Sequence, residues 1–402
     1  MQGFDFAALG LLLFVATLVA IVSRRLGLPY ATGLVAAGIG LALLAPRAKL
    51  PPLTPDLIYF VLLPPLVFEA AIQIPWPSFR RELPLLTALV TLGVALAAGV
   101  AALGMHYWAG WSWIGAALFG VLIAATDPVS VIAAFKQLNV EPRLHLLVEA
   151  ESLLNDGVAA VGFAVLTGLA AGGSAGAGEV AWQFVTTSAG GIAAGLAVAA
   201  PLILVAGRTD DRLVEIAITT LIAYGSFLFA EHFHFSGVLA TLAAGMLVGN
   251  WGFVGSISDS GRAGVLNHWE YVAFLINSVI FLLIGRYEAH VGIAFTLEAT
   301  AIAVLLALIG RALAVYPVTL AFARTRLRVP WTYKHVLFWG GLRGALALAL
   351  AMALPQAVPE RDTIIVVVFA VVAFSVFVQG LTMPVLIRRL GLLVGGGSRE
   401  QV

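Results

Sequence analysis

Apolar runs of about twenty residues, each long enough to cross a bilayer, recur from one end of this 402-residue chain to the other. Reading them between their polar breaks gives thirteen candidate spans, at residues 6–22, 30–44, 56–72, 84–105, 113–135, 143–170, 179–206, 212–231, 236–250, 262–284, 296–323, 331–353 and 363–387. The chain is expected to be an all-α polytopic membrane protein. Composition agrees: 61% of residues are hydrophobic and 11% charged, where a soluble domain carries about a quarter charged. That excludes a soluble globule, a disordered chain and a collagen. With no cysteine, disulfide frameworks, thiol chemistry and Cys-ligated metals are also excluded. A net charge of +1 gives no reason to expect nucleic acid. No segment between spans is long enough for a soluble domain, so the activity must lie within the membrane.

Loop charges set an orientation. With the N-terminus outside, sixteen of the 22 Lys and Arg fall on the cytoplasmic side: Arg24, Arg25, Arg80, Arg81, Lys136, Arg143, Arg208, Arg212, Arg262, Arg324, Arg326, Arg328, Lys334, Arg388, Arg389 and Arg399. Arg47, Lys49, Arg286 and Arg361 fall outside, and Arg311 and Arg343 lie within spans. The bias follows the positive-inside rule and implies a multi-pass protein of the cell membrane with a cytoplasmic C-terminus. The first span carries its positive charges after the apolar stretch, so it reads as an N-out helix and not a cleavable signal.

Parity then suggests an inverted repeat of six spans, a connector and six more, an architecture common in secondary transporters. Two spans look broken, at Thr126-Asp127-Pro128 in the fifth and Gly340-Gly341-Leu342-Arg343-Gly344 in the twelfth. Each is the fifth of six in its half.

Ionisable groups that persist in hydrocarbon are functional candidates. Five acids stand out: Glu69, Asp127, Glu149, Glu151 and Asp156. Glu149, nearer the cytoplasmic end, fits a solvated helix end as well as a functional role. Asp156 is thirteen residues into its span from Arg143, or roughly 20 Å, near mid-membrane. Asp127 reads as the N-cap of a helix restart with Pro128 in its first turn, and the break frees carbonyls near Ala125 that a cation site can use. On the sixth span Ser152 and Asp156 share one face, with Glu149 a turn below and Glu151 and Asn155 on the neighbouring stripe. Hydroxyl, carboxylate and free carbonyl oxygens suit a hard cation such as sodium. Arg311 cannot shuttle protons and is expected to pair with Glu151, while Arg343 is placed to offset the negative ends of half-helices.

Other signals are weaker. Gly172-Gly173-Ser174-Ala175-Gly176 matches a nucleophile-elbow pattern but lacks its strand-turn-helix context. His232 and His234 are expected at an interface, and Gly191/Gly195 and Gly245/Gly249 fit small-residue helix packing.

Ala125-Thr126-Asp127-Pro128, Glu151-Ser152-Leu153-Leu154-Asn155-Asp156 and Gly340-Gly341-Leu342-Arg343-Gly344-Ala345 resemble signatures of the sodium/proton antiporters of the NhaP/NHE type. Segments 63–70 and 269–278 are similar to further family segments, in order along the chain. The resemblance implies a lipid-embedded homodimer whose core moves against a dimerisation domain, with no cofactor, nucleic acid or organic substrate. The scaffold would comprise residues 1–78 and, with the connector, 179–290; the core would comprise 79–178 and 291–402. It implies that Asp156 binds the ion and the proton, that Thr126, Asp127 and Ser152 complete the sodium or lithium site, and that Glu69 is a third-span acid nearby. The Glu151–Arg311 pairing also follows the family, with Pro128 and Arg343 supporting the broken helices. Asn155 stands where electrogenic relatives carry a second Asp, and Arg311 where they place a titratable Lys, which implies electroneutral 1:1 exchange. The long cytoplasmic tail of animal members is missing, so regulation by such a tail is not expected. The rival readings are a potassium-preferring antiporter, a passive cation channel, and an intramembrane aspartyl protease, whose Gly-x-Gly-Asp pattern neither Asp127 nor Asp156 matches.

Overall fold

The computed structural model describes residues 6–26, 28–45, 54–171, 176–288 and 297–393. Arg47, Lys49, Arg399 and residues 172–175 of the Gly/Ser loop lie outside this set. The described residues form helices α1 (Phe6–Leu26), α2 (Tyr30–Leu44), α3 (Leu57–Ile72), α4 (Trp76–Ala109), α5 (Trp113–Ala124), α6 (Val129–Leu138) and α7 (Pro142–Ala170). There follow α8 (Ala177–Ala206), α9 (Arg212–His232), α10 (Gly237–Gly252), α11 (Asp259–Glu288) and α12 (Leu297–Ala321). The short α13 (Trp331–Trp339) and α14 (Ala345–Met352) precede α15 (Arg361–Arg389). Among the described residues, eight helical stretches are long and apolar enough to cross a membrane, and three shorter apolar helices accompany them. Helices are what a bilayer requires, because each satisfies its own backbone polar groups.

One boundary differs from the sequence reading. The fourth span starts at Trp76 rather than residue 84, because Arg80, Arg81 and Glu82 had read as a polar loop. Glu82 is buried and held by Arg143 of α7, with Nε–Oε1 2.9 Å and Nη2–Oε2 3.0 Å. Pro84 then sits inside the helix, so the expected division between residues 78 and 79 falls within α4.

Glycines allow close helix approach where no side chain would fit. A Cβ on Gly195 of α8 would strike the Ala240 carbonyl of α10, and one on Gly249 the Ile72 carbonyl of α3. Such small-residue contacts let packing replace a hydrophobic driving force that lipid does not supply.

Both expected interruptions are present. The chain leaves helix between Ala124 and Val129 and again between Trp339 and Ala345. The two breaks meet: the Asp127 N–H donates to the Leu342 carbonyl at 2.7 Å. Other freed carbonyls are satisfied by side chains. Gln379 Nε2 reaches the Trp339 carbonyl at 3.1 Å, and Thr32 Oγ1 reaches Val376 at 3.0 Å, where α15 carries a π-helical stretch.

The outer ends of these broken helices are held in matching ways. Glu141, the residue preceding α7, accepts from the Tyr333 hydroxyl in the first turn of α13. Glu360, the residue preceding α15, accepts from Ser112 N (2.9 Å) and Oγ (2.7 Å) at the start of α5. Each broken helix is thus tied at its entry by the acid that opens the helix following the other.

Candidate ion-binding site at the crossing of the broken helices

Asp127 sits in the first break because the chain must stop and restart there. Its Oδ1 accepts from Val129 N at 2.9 Å, so it caps α6 from two residues upstream, and Pro128 supplies the turn. The Ala345 N–H, at the start of α14, also faces the Asp127 carboxylate. Donors from both broken helices therefore converge on one acid, as the exposed N–H groups at helix starts favour. Gly344 leaves the room for this: a Cβ there would collide with the Asp127 carboxylate.

Asp156 approaches from α7. Its carboxylate faces the Thr126 N–H and lies close enough to Asp127 for the two charges to repel. Thr126 is buried behind it, with Oγ1 donating to Ser152 Oγ at 3.2 Å. The Ser152 hydroxyl donates in turn to the Thr126 carbonyl, the freed carbonyl of the break. Asn155 Nδ2 donates to Thr126 Oγ1 (3.3 Å) and to Glu151 Oε1 (2.8 Å).

These acids line a cavity of about 270 Å³. Thr126, Asp127, Pro128, Asp156, Gly344 and, from α3, Glu69 face it, with Leu63, Val67 and Phe274 among the apolar walls. Glu69 is also hydrogen-bonded by Gln73 one turn on. Lys136, Glu149 and Glu270 line the same space, and Lys136 and Glu270 are exposed. The cavity therefore runs from solvent at the Lys- and Arg-rich end of the helices to the two aspartates.

The expected site residues separate into two groups. Glu69, Thr126, Asp127 and Asp156 come together on the cavity wall. Ser152 and Asn155 stand behind Thr126, bonded to it and to Glu151, and do not line the cavity.

Glu151 and Arg311 meet away from the cavity. Arg311 Nη2 donates to Glu151 Oε2 at 2.7 Å and Nη1 donates to Oε1, while Nε and Nη2 both reach the Leu337 carbonyl at the end of α13. Both side chains are buried. Arg343 is buried too; its Nη1 donates to the Gly341 carbonyl within the second break, and its Nε has no hydrogen-bond partner. His232 and His234 lie exposed at the end of α9.

Sequence reasoning missed several groups. Glu270 and Lys136 were read only as a motif residue and a loop charge, yet both line the cavity. Glu231, read as a span end, accepts from Tyr59 Oη (3.0 Å) and Gly237 N (2.9 Å), fastening α3 and α10. An acid within a span boundary was the available signal.

Comparison with known proteins places this arrangement. The family described as sodium/hydrogen exchanger, transmembrane, matches residues 11–389. The Na(+)/H(+) antiporter ApNhaP of Aphanothece halophytica is 39% identical over 389 residues, covering 96% of this chain and 74% of its own. The low-affinity Na(+)/H(+) antiporter NhaS1 of Synechocystis is 38% identical over 387 residues, covering 95% and 73%. The structure of the sodium proton antiporter MjNhaP1 from Methanocaldococcus jannaschii shares the fold, with a TM-score of 0.73 at 18% identity over 95% of each chain. With its length matched almost end to end, this chain belongs to the sodium/hydrogen exchanger family, whose members are secondary transporters and not enzymes.

Proposed function

We propose that this protein exchanges sodium or lithium for protons, one for one, by alternating access, with both ions competing for Asp156. The observation that carries the reading is the position of Asp156: a carboxylate on the cavity wall, against the Thr126 N–H, where the two broken helices cross. Thr126 and Asp127 supply the nearest oxygens, and Glu69 faces them from α3. Ser152 joins the site by a short rotation of its hydroxyl away from Thr126. Asn155 holds Thr126 and Glu151 in place rather than carrying a proton. Exchange of this kind needs no cofactor, since the ions are substrates.

In this reading the Lys- and Arg-rich face is cytoplasmic, and the cavity opens to that side. Residues 76–178, from the start of α4, and 291–402 move as the core, against a scaffold of 1–75 and 179–290 through which two copies of the chain form a dimer. An inverted repeat of thirteen spans is supported by the paired ties. Glu141 and Glu360 occupy equivalent places in the two halves, and each bonds the start of the other half's broken helix. By parity those ties lie on opposite faces of the membrane.

The test is purified protein in proteoliposomes, with a pH-sensitive dye inside and sodium, lithium or potassium added in turn. Sodium- and lithium-driven proton movement that vanishes in Asp156→Asn, in protein that still purifies folded, is the expected result. Full exchange in that variant removes Asp156 from the mechanism, and a response to potassium alone reassigns the cation.

A further inference from the structure

A second cavity of about 410 Å³ lies beside the first, at the same end of the bundle. Gln73 and Ser78 line it together with Arg81, Glu82, Arg143 and His145. Glu149, one turn above His145 on α7, is the residue shared by the linings of the two cavities, and it is 9% exposed.

The two spaces differ in charge. On the ion side Glu69, Asp127, Asp156 and Glu270 face a single lysine, Lys136. On the other side the acid Glu82 is held by Arg143, which leaves Arg81 to set the sign. A wall of that kind repels a metal cation, while protons pass along water and a titratable ring. His145 presents such a ring, packed edge-on against Phe135, and its Nε2 is buried without a hydrogen-bond partner. A buried polar atom left unpaired is costly and marks a group worth explaining.

Glu149 and Asp156 are seven residues apart on one helix face, about 10.5 Å along its axis, a gap that a few waters bridge. Lys136, Glu69 and Glu270 share the ion cavity with Glu149, and Arg81, Glu82 and His145 share the side cavity with it. We propose that Glu149 is a proton relay, which carries the proton leaving Asp156 into the side cavity by a path the cation does not share. As a cation arrives, the O–H bond of protonated Asp156 breaks and its proton enters the intervening water. A proton from that water forms an O–H bond on the Glu149 carboxylate, which then releases it to the His145 ring and through that ring to water in the side cavity. One proton leaves for each cation bound, and Glu149 ends the cycle as it began.

This inference rests on Asp156 being the shared site, and its test separates the two. Sodium/sodium exchange, followed with labelled sodium, moves cations without net proton movement, whereas sodium/proton exchange needs both. Glu149→Gln should slow sodium/proton exchange at least about tenfold, a threshold set below the roughly 10²–10⁴-fold that positioned acid–base groups contribute. Its sodium/sodium exchange and apparent sodium affinity should stay within about twofold, and Glu149→Asp should restore the coupled rate. Asp156→Asn should lose both modes. Equal loss of both modes in Glu149→Gln, or an unchanged sodium/proton rate, overturns the relay. Should that variant fail to fold, His145→Gln is read in the same way: selective slowing of the coupled mode supports the relay, and any other result overturns it.

Discussion

Arg311 binds Glu151 through two side-by-side N–H bonds, one to each carboxylate oxygen, while reaching past it to the Leu337 carbonyl at the second helix break. One guanidinium therefore neutralises a buried acid on α7 and supplies the donor that the end of α13 lacks. The pair is a brace for the break, and it stands off the cavity wall. Removing one partner from such a buried pair strands the other charge and typically costs about 3–5 kcal/mol. Glu151→Ala and Arg311→Ala should each lose thermal stability, and the double variant should lose less than the sum. Thermal unfolding of detergent-solubilised protein checks this. Additive losses would mean the two side chains do not share an interaction in solution.

Competition at one carboxylate fixes how sodium affinity responds to pH. Below the pH at which Asp156 becomes protonated, each unit of acidification should weaken apparent sodium affinity by about tenfold, because the proton occupies the same group. Above it, affinity should level off while the maximal rate falls, because the proton that must reload Asp156 on the opposite side becomes scarce. Initial rates of exchange across a sodium series at several pH values measure this. A pH-independent apparent affinity would place the proton elsewhere.

A one-for-one cycle moves no net charge and should ignore membrane potential, whereas each charge moved would be worth about 2.3 kcal/mol per 100 mV. Exchange rates with a potassium/valinomycin clamp at zero and at large potentials of either sign should coincide, once potassium itself is shown not to be carried. A transient current on a supported membrane that scales with turnover would sink the electroneutral assignment.

Gly344→Ala tests the crossing directly. A methyl group there meets the Asp127 carboxylate, which the Val129 N–H holds at 2.9 Å. Overpacking of this kind costs typically about 1–3 kcal/mol. Transport should fall far more than stability, since the methyl group displaces a cavity acid. Normal transport in folded Gly344→Ala protein would show that Asp127 has room to move.

Much of this was legible because a bilayer allows few answers. Apolar runs gave the helices, and an acid beside a proline gave the first break at Asp127-Pro128. The glycines of segment 340–344 gave the second. Glu82 hid the start of α4, because a charged residue at a span end looks the same in sequence whether it faces water or an arginine 61 residues away. Nor did spacing along α7 show that Ser152 and Asn155 turn toward Thr126 while Asp156 faces the cavity. That choice depends on where the neighbouring break places its carbonyl and hydroxyl. Contacts between the halves, such as Glu360 with Ser112, leave no local trace at all.

The tie between Ser112 and Glu360 spans 248 residues of sequence. At about 5–20 residues per second of synthesis, the start of α5 waits on the order of ten seconds to a minute for the acid that closes it. Until then the start of α5 has only its own cap, in which Ser112 Oγ accepts from the Gly115 N–H at 3.2 Å. A chain halted before residue 360 keeps that local cap and never acquires the clasp across the two halves.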